Sequence, residues 1–434
     1  MNRTKITLQL CLCFGLLFAL IFFSAGKAEV NEGKINSEGS GSSLLLWYTD
    51  EKLSDYLADM AEKLRETEGI ELKCEKKEGL DFLETIEMAG SEGPDLYIAG
   101  GENLEEIYEK GLYRQPGVSE NDFSPRAVEA ASYQGEILAY PFSFDCSFLL
   151  SNRDYLEDYA RNMIEAELVQ EMADAGETQS LSENTVTADE EQVFQRAEEY
   201  IPGDFESLKA FAEVYDAPAE VTGVLGWDSG DIFYNYFILG DSIDLSDELE
   251  ELDIYNSASV SCLEAYQELY QFFSLSEEVS YEQVKKGIVS GNYVFAVASA
   301  DILKELPEDR NFTIEALPVV SEGVQPLPLG QEKLLFLNSL RNNGEETLEA
   351  AEYMLSREGA GLLYSGAGLL MPRRDFCQED ERREAVLQEY ERSVLIPRRR
   401  SRADYWMKLK IAFMDAADGK NPDNILQALE NSIK

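Results

Sequence analysis

The sequence predicts an α/β protein built as two lobes on one chain, and three observations carry that reading. Strand and helix patterns alternate along the chain after an apolar leader. Its 434 residues exceed what one ordinary core holds, so two lobes are expected. Its 44% hydrophobic and 28% charged residues are the balance of a folded, water-exposed protein rather than a disordered one.

The elements follow in order. Ser43 to Tyr48 reads as a short apolar strand, and Leu53, Tyr56, Leu57, Met60 and Leu64 then repeat at helical spacing up to Gly69. Ile70 to Glu75 alternates like a strand, and Leu83, Ile86 and Met88 mark a short helix. Gly93-Pro94-Asp95 leads into a strand over 96–99, with a helix around Leu104 to Tyr108. Strand, helix, strand, helix, strand implies a parallel sheet with its working loops at the carboxyl ends of the strands. Gly135 to Pro141 and Ser147 to Ser151 read as further strands. Residues 154–200 are strongly acidic and helical in propensity, with a turn-rich stretch from Gly176 to Asp189, and read as a solvated insertion on the second lobe. Helices are expected from Phe205 to Tyr215, Cys262 to Phe273, Leu348 to Leu355 and Tyr405 to Ala417, and a strand from Tyr293 to Ala298.

The leader assigns the protein to the outside of the cytoplasm. Arg3 and Lys5 precede the apolar run Leu10 to Phe23, and Ser24-Ala25-Gly26 supplies small residues for a signal peptidase. Residues 1–28 are therefore an export signal or, counted from Ile6, a retained membrane anchor, and 29–43 a flexible linker. Cys11 and Cys13 lie too early in the run for lipid attachment. Cys74, Cys146, Cys262 and Cys377 are too widely spread to form a disulfide framework and read as free, mostly buried thiols.

Composition excludes whole classes of function. The formal net charge of −47 repels nucleic acids and anionic lipid, leaving the leader as the route to a membrane. With no histidine, the Ser-His-Asp and Cys-His mechanisms and every imidazole-bound metal site are ruled out. Asp241, Asp244 and Asp247 lack a calcium-loop pattern. No cofactor or metal is implied.

Several motifs fall in a recognisable order. Gly93-Pro94-Asp95-Leu96-Tyr97-Ile98, Gly135-Glu136-Ile137-Leu138-Ala139-Tyr140-Pro141, Leu149-Leu150-Ser151-Asn152-Arg153-Asp154 and Ile201-Pro202-Gly203-Asp204-Phe205-Glu206-Ser207-Leu208 are four of them. Gly287 to Ala298, Leu370-Met371-Pro372-Arg373 and Trp406 to Gly419 complete the set. In order and spacing this resembles the family 1 extracellular solute-binding proteins. The resemblance runs from about Leu44 to the C-terminus, outside the 154–200 insertion. It implies two α/β lobes, each a mostly parallel sheet flanked by helices, joined by three crossings and closing on a ligand. The first lobe would comprise 44–146 plus 333–370, and the second 150–332 plus 371–434.

A sugar cleft uses aromatic faces for C–H surfaces and carboxylates for hydroxyls. On that chemistry and the resemblance, the candidate ligand residues are Glu102, Asp145, Trp227, Asp228, Asp231, Phe233, Tyr234, Asp301 and Trp406. Asp145, at the first crossing, takes the position of a ligand-contacting acid in the family. Ala99 and Gly100 depart from the pattern by standing where a tryptophan is found. The resemblance implies a monomer that passes a small solute, most simply a carbohydrate, to the permease of an ABC importer. A carboxylate-dependent glycoside hydrolase and a surface protein without transport are the alternatives the sequence leaves open.

Overall fold

The computed structural model describes residues 43–79, 81–174, 187–244, 253–341, 344–398 and 404–433. The leader with Cys11 and Cys13, most of the linker, most of the turn-rich stretch after Gly176, Asp247 and Arg399–Arg402 lie outside the described residues. Among the described residues no helix is long and apolar enough to cross a membrane.

Among the described residues there are twelve strands: β1 (Ser43–Tyr48), β2 (Glu71–Lys76), β3 (Leu96–Gly100), β4 (Tyr113–Arg114), β5 (Ser132–Tyr133), β6 (Glu136–Ile137), β7 (Tyr140–Asn152), β8 (Gly223–Gly226), β9 (Tyr293–Ser299), β10 (Phe312–Glu315), β11 (Leu329–Asn338) and β12 (Val394–Leu395). Ten form one large sheet whose main path runs β2-β1-β3-β11-β7-β9-β8. Its outer pairs are parallel: β1 with β2 and β3, and β8 with β9. Its middle is antiparallel, because β11 runs against β3 and β7, and β7 against β9.

Local chemistry explains many of the boundaries. In helix Ser54–Thr67, Tyr56, Leu57, Met60 and Leu64 are wholly buried, and Gly69 follows in the left-handed region at φ 70°. Helix Phe205–Val214 starts on a reciprocal cap between Asp204 and Ser207. Gln134 and Gly135, both at positive φ, turn the β5–β6 hairpin. The apolar segment 140–152 is one thirteen-residue strand, β7, rather than a strand end and a separate strand. Strand β11 has no clean alternation in sequence, since its register with β7 shifts between Lys333 and Leu334 and swaps the faces of its side chains.

Helix Arg153–Asp174 begins in the second lobe and buries Leu156, Ala160 and Ile164 in its core, against Val193 and Ala197 of helix Glu190–Glu199. The helices on either side of the turn-rich stretch are therefore both packed into one apolar core. Cys74, Cys146, Cys262 and Cys377 are free, all but Cys74 buried.

The way the core is divided locates the cleft. On one face of the sheet a single apolar cluster runs through both lobes, from Leu44 and Leu46 through Phe142, Phe144, Cys146, Phe148 and Leu150 to Ala296 and Ala298. Met371, Phe376, Val386 and Tyr390 pack into it as well. On the other face there are two separate clusters. One holds Trp47, Tyr97, Ala99, Leu334 and Phe336, the other Leu149, Trp227, Phe237, Phe295 and Val297. Between those two cores the sheet carries polar side chains.

Candidate functional site

Strand β7 sets up the site by its period of two. Its even-numbered residues, Phe142 to Leu150, enter the continuous core, so its odd-numbered residues face the other way. Along that face they read Ser143, Asp145 and Ser147 before apolar packing resumes at Leu149. The neighbouring strand adds Gln331 opposite Asp145 and Lys333 opposite Ser143. A polar row thus crosses from one lobe to the other beneath the gap between the two cores, with Ser143 and Ser147 buried in it and Asp145, Gln331 and Lys333 keeping some exposure.

Asp145 keeps an opening to solvent at the bottom of this row. Its Oδ1 accepts the Ala300 N–H at 2.9 Å, from the turn after β9. Burial pushes its carboxyl up to about 7 and Asp301 adds to the rise, against the pull of the Ala300 amide and Lys52. Asp301 is a hub. It accepts from the Tyr281 hydroxyl at 3.0 Å and from Ser299 Oγ at 3.3 Å, and its Oδ2 lies 3.3 Å from Lys285 Nζ. Lys52, from the turn after β1 in the first lobe, reaches the same oxygen at 3.5 Å. Lys285 is 5% exposed and also meets Glu305 at 2.9 Å and Glu282 at 3.1 Å. Burial works against its charge, but these carboxylates raise its pKa overall.

An aromatic wall stands beside these acids. Tyr234 stacks on Tyr281 with ring centres 4.5 Å apart, and Phe233 meets Tyr234 edge-on at 4.9 Å. The Tyr234 hydroxyl lies 3.3 Å from Ser299 Oγ, and Ser147 Oγ donates to the Phe233 carbonyl at 3.5 Å. The loop before this wall holds it in place. Trp227 is 2% exposed, donates Nε1–H to the Tyr234 carbonyl at 3.1 Å, and packs among Phe205, Phe237 and Tyr266. Asp228 accepts the amides of Gly230 at 3.1 Å and Tyr281 at 2.8 Å, tying the loop to the start of helix Tyr281–Ser290. Asp231 caps helix Ile232–Asn235 through the Phe233 amide at 3.0 Å.

Five of the nine candidates thus gather around Tyr281 and Asp301: Asp145, Asp228, Phe233, Tyr234 and Asp301. Trp227 and Asp231 support the same loop from behind. Glu102 lies apart, folded over Gly100 on the rim of a first-lobe cavity of about 400 Å³. Trp406, half-buried, packs edge-on against Tyr236 at 5.9 Å. Sequence reasoning missed Lys52, Tyr281, Lys285, Ser143, Ser147 and Ser299. The alternation from Phe142 to Phe148 held the signal for the two floor serines. Tyr281 and Lys285 join the site only through contacts distant in sequence. A cavity of about 560 Å³ opens beside the Lys52–Asp301 pair, bounded by both lobes.

Two lobes sharing one curled sheet, with a polar floor on the crossing strands, define the periplasmic-binding-protein-like fold. No protein-family model matches the sequence. In structure the chain is similar to a cyclo/maltodextrin-binding protein solved in complex with maltotetraose. The TM-score is 0.67 at 16% sequence identity, covering 92% of this chain and 98% of that one. At that identity the likeness establishes the two-lobed fold.

Proposed function

We propose that this protein is an exported solute-binding protein that closes its two lobes on a carbohydrate and delivers it to the permease of an ABC importer. The observation that carries this reading is the polar row Ser143–Asp145–Ser147 between two separate apolar cores, with Asp301, Tyr234 and Tyr281 at its side. Carboxylates and hydroxyls there suit a ligand rich in hydroxyl groups, and the tyrosine pair offers an apolar face. The maltotetraose bound by the structural neighbour is consistent with that chemistry.

In this reading β7 and β11 are hinge strands. The first lobe is 44–146 plus 333–370, the second 150–332 plus 371–434, and the N-terminal segment directs export, as a cleaved signal or as a retained anchor beside the permease. Glu102 and Trp406 complete the ligand set from either lobe, while Trp227, Asp228 and Asp231 hold the loop that presents Phe233 and Tyr234. The reading is of binding rather than glycoside hydrolysis. Asp301 already serves Tyr281, Ser299, Lys285 and Lys52, which leaves it poorly placed as the second carboxylate of a catalytic pair.

The test is a thermal-shift and calorimetric panel of linear and cyclic maltodextrins, other oligosaccharides, amino acids and polyamines. At least one oligosaccharide is expected to raise the melting temperature, with the effect reduced at least tenfold in apparent affinity by Asp145→Asn. Stabilisation by none of the sugars would overturn the carbohydrate assignment.

A further inference from the structure

We propose that the outer side of the second lobe carries a separate site for an alkylammonium group, best filled by a quaternary amine. The site is a cavity of about 440 Å³ between the start of helix Arg153–Asp174 and the segment that follows helix Phe205–Val214. Three tyrosines line it. Tyr155 and Tyr159 lie one turn apart on the first helix, and Tyr215 follows the second.

The rings are held by their own hydroxyls and neighbours. Tyr155 donates to the Gly291 carbonyl at 2.8 Å and Tyr159 to the Val214 carbonyl at 3.3 Å. Tyr215 stacks on Phe211 at 4.9 Å and meets Tyr159 edge-on at 5.2 Å. Asp158, Asp216 and Glu220 surround the cavity. Its lining cation, Arg161, is committed to Asp158 at 3.1 Å and Glu190 at 2.9 Å.

Among the described residues no ammonium or guanidinium stands over these three rings, although Lys77 lies 4.1 Å from the centre of Trp47 elsewhere in the chain. A second arginine, Arg310, lies beside the Tyr155 hydroxyl and donates to the Val289 carbonyl at 3.2 Å. Electron-rich rings and three carboxylates outnumber these two committed arginines and make a cation-attracting site. Burial raises the Tyr215 hydroxyl above its ordinary range, and Tyr155, Asp158 and Glu220 add to the rise, as a negative potential requires. A neutral sugar would use the rings but gain nothing from that potential.

The experiment titrates the full chain with choline and, in parallel, with its uncharged isostere 3,3-dimethylbutan-1-ol, followed by near-ultraviolet tyrosine absorbance and saturation-transfer NMR. Saturable choline binding is expected, with the isostere roughly tenfold weaker or undetected. Tyr215→Ala and Tyr155→Leu are expected to weaken choline about tenfold, while Tyr215→Phe, which keeps the ring, binds as the parent does. Asp145→Asn, in the interlobe cleft, is expected to leave choline binding in place. Equal binding of the neutral isostere, no choline binding, or loss in Asp145→Asn with retention in Tyr215→Ala would each overturn the proposal. Because this site is outside the cleft, the first two outcomes leave the carbohydrate reading untouched, whereas the third would place choline in the cleft and count against that reading.

Discussion

The two faces of the crossing strands differ in what they ask of their residues. On the back face Phe144 is 1% exposed and lies 4.6 Å from the ring of Tyr390, inside a core that ignores the division into lobes. One residue on, Asp145 faces the gap between two cores and spends its hydrogen bond on the far lobe. The back face keeps the lobes on one continuous scaffold, and the front face leaves polar groups for them to close upon. Neighbouring residues on one strand therefore serve stability and recognition separately, since a strand sends successive side chains to opposite sides.

The largest effect is expected on the back face. Phe144→Ala should cost about 3–5 kcal/mol of unfolding free energy in urea, as for other buried aromatic truncations. A loss under about 1 kcal/mol would mean that the continuous core is not shared between the lobes.

Asp145→Asn should do the reverse, and its sign follows from linkage. The carboxyl has a folded pKa of about 7 against an ordinary 3.8. A raised acid costs folding stability above the unfolded pKa, and the cost grows until pH passes the folded value. The asparagine variant should therefore be more stable than the parent by roughly 2–4 kcal/mol at pH 8 and by under about 1 kcal/mol at pH 4. Equal gains at both pH values would show that Asp145 is ionised and well solvated in the folded protein.

A smaller loss, about 1–2 kcal/mol, is expected for Asp301→Asn, which takes one of three carboxylates from the buried Lys285. Lys52→Ala should change stability by less than about 1 kcal/mol, because Lys52 is 59% exposed in its pair with Asp301. Repeating both variants in high salt sharpens the contrast. The Lys52 effect should vanish with screening while the Asp301 effect persists.

Glu332 shows that burial, not the cleft, raises such carboxyls. It sits on β11 beside the Tyr390 hydroxyl at 3.0 Å, and burial pushes it up to about 7 although that hydrogen bond pulls the other way. Nothing in the local sequence distinguishes Glu332 from exposed Gln331 and half-buried Lys333 beside it. The bulge after Lys333 is what turns the strand, and a bulge has no compositional mark here.

Much of the scaffold was legible before any coordinates. Apolar spacing marked the helix after β1 and Gly69 its end, because caps and periodicity are local properties of the chain. The total absence of histidine and the charge of −47 bounded the chemistry in the same local way. Assembly was not legible. Reading 140–152 as one strand through both lobes, finding β11, and bringing Lys52, Asp145, Tyr281 and Asp301 to one place all depend on contacts between residues far apart in the sequence. Trp227 makes the same point. Its residue type suits a sugar cleft, but packing among Phe205, Phe237 and Tyr266 buries it behind the loop it supports. Sequence determined which elements form, since hydrogen bonding and periodicity act over a few residues. Tertiary structure decided which polar groups share a cleft, since burial is a property of the whole fold.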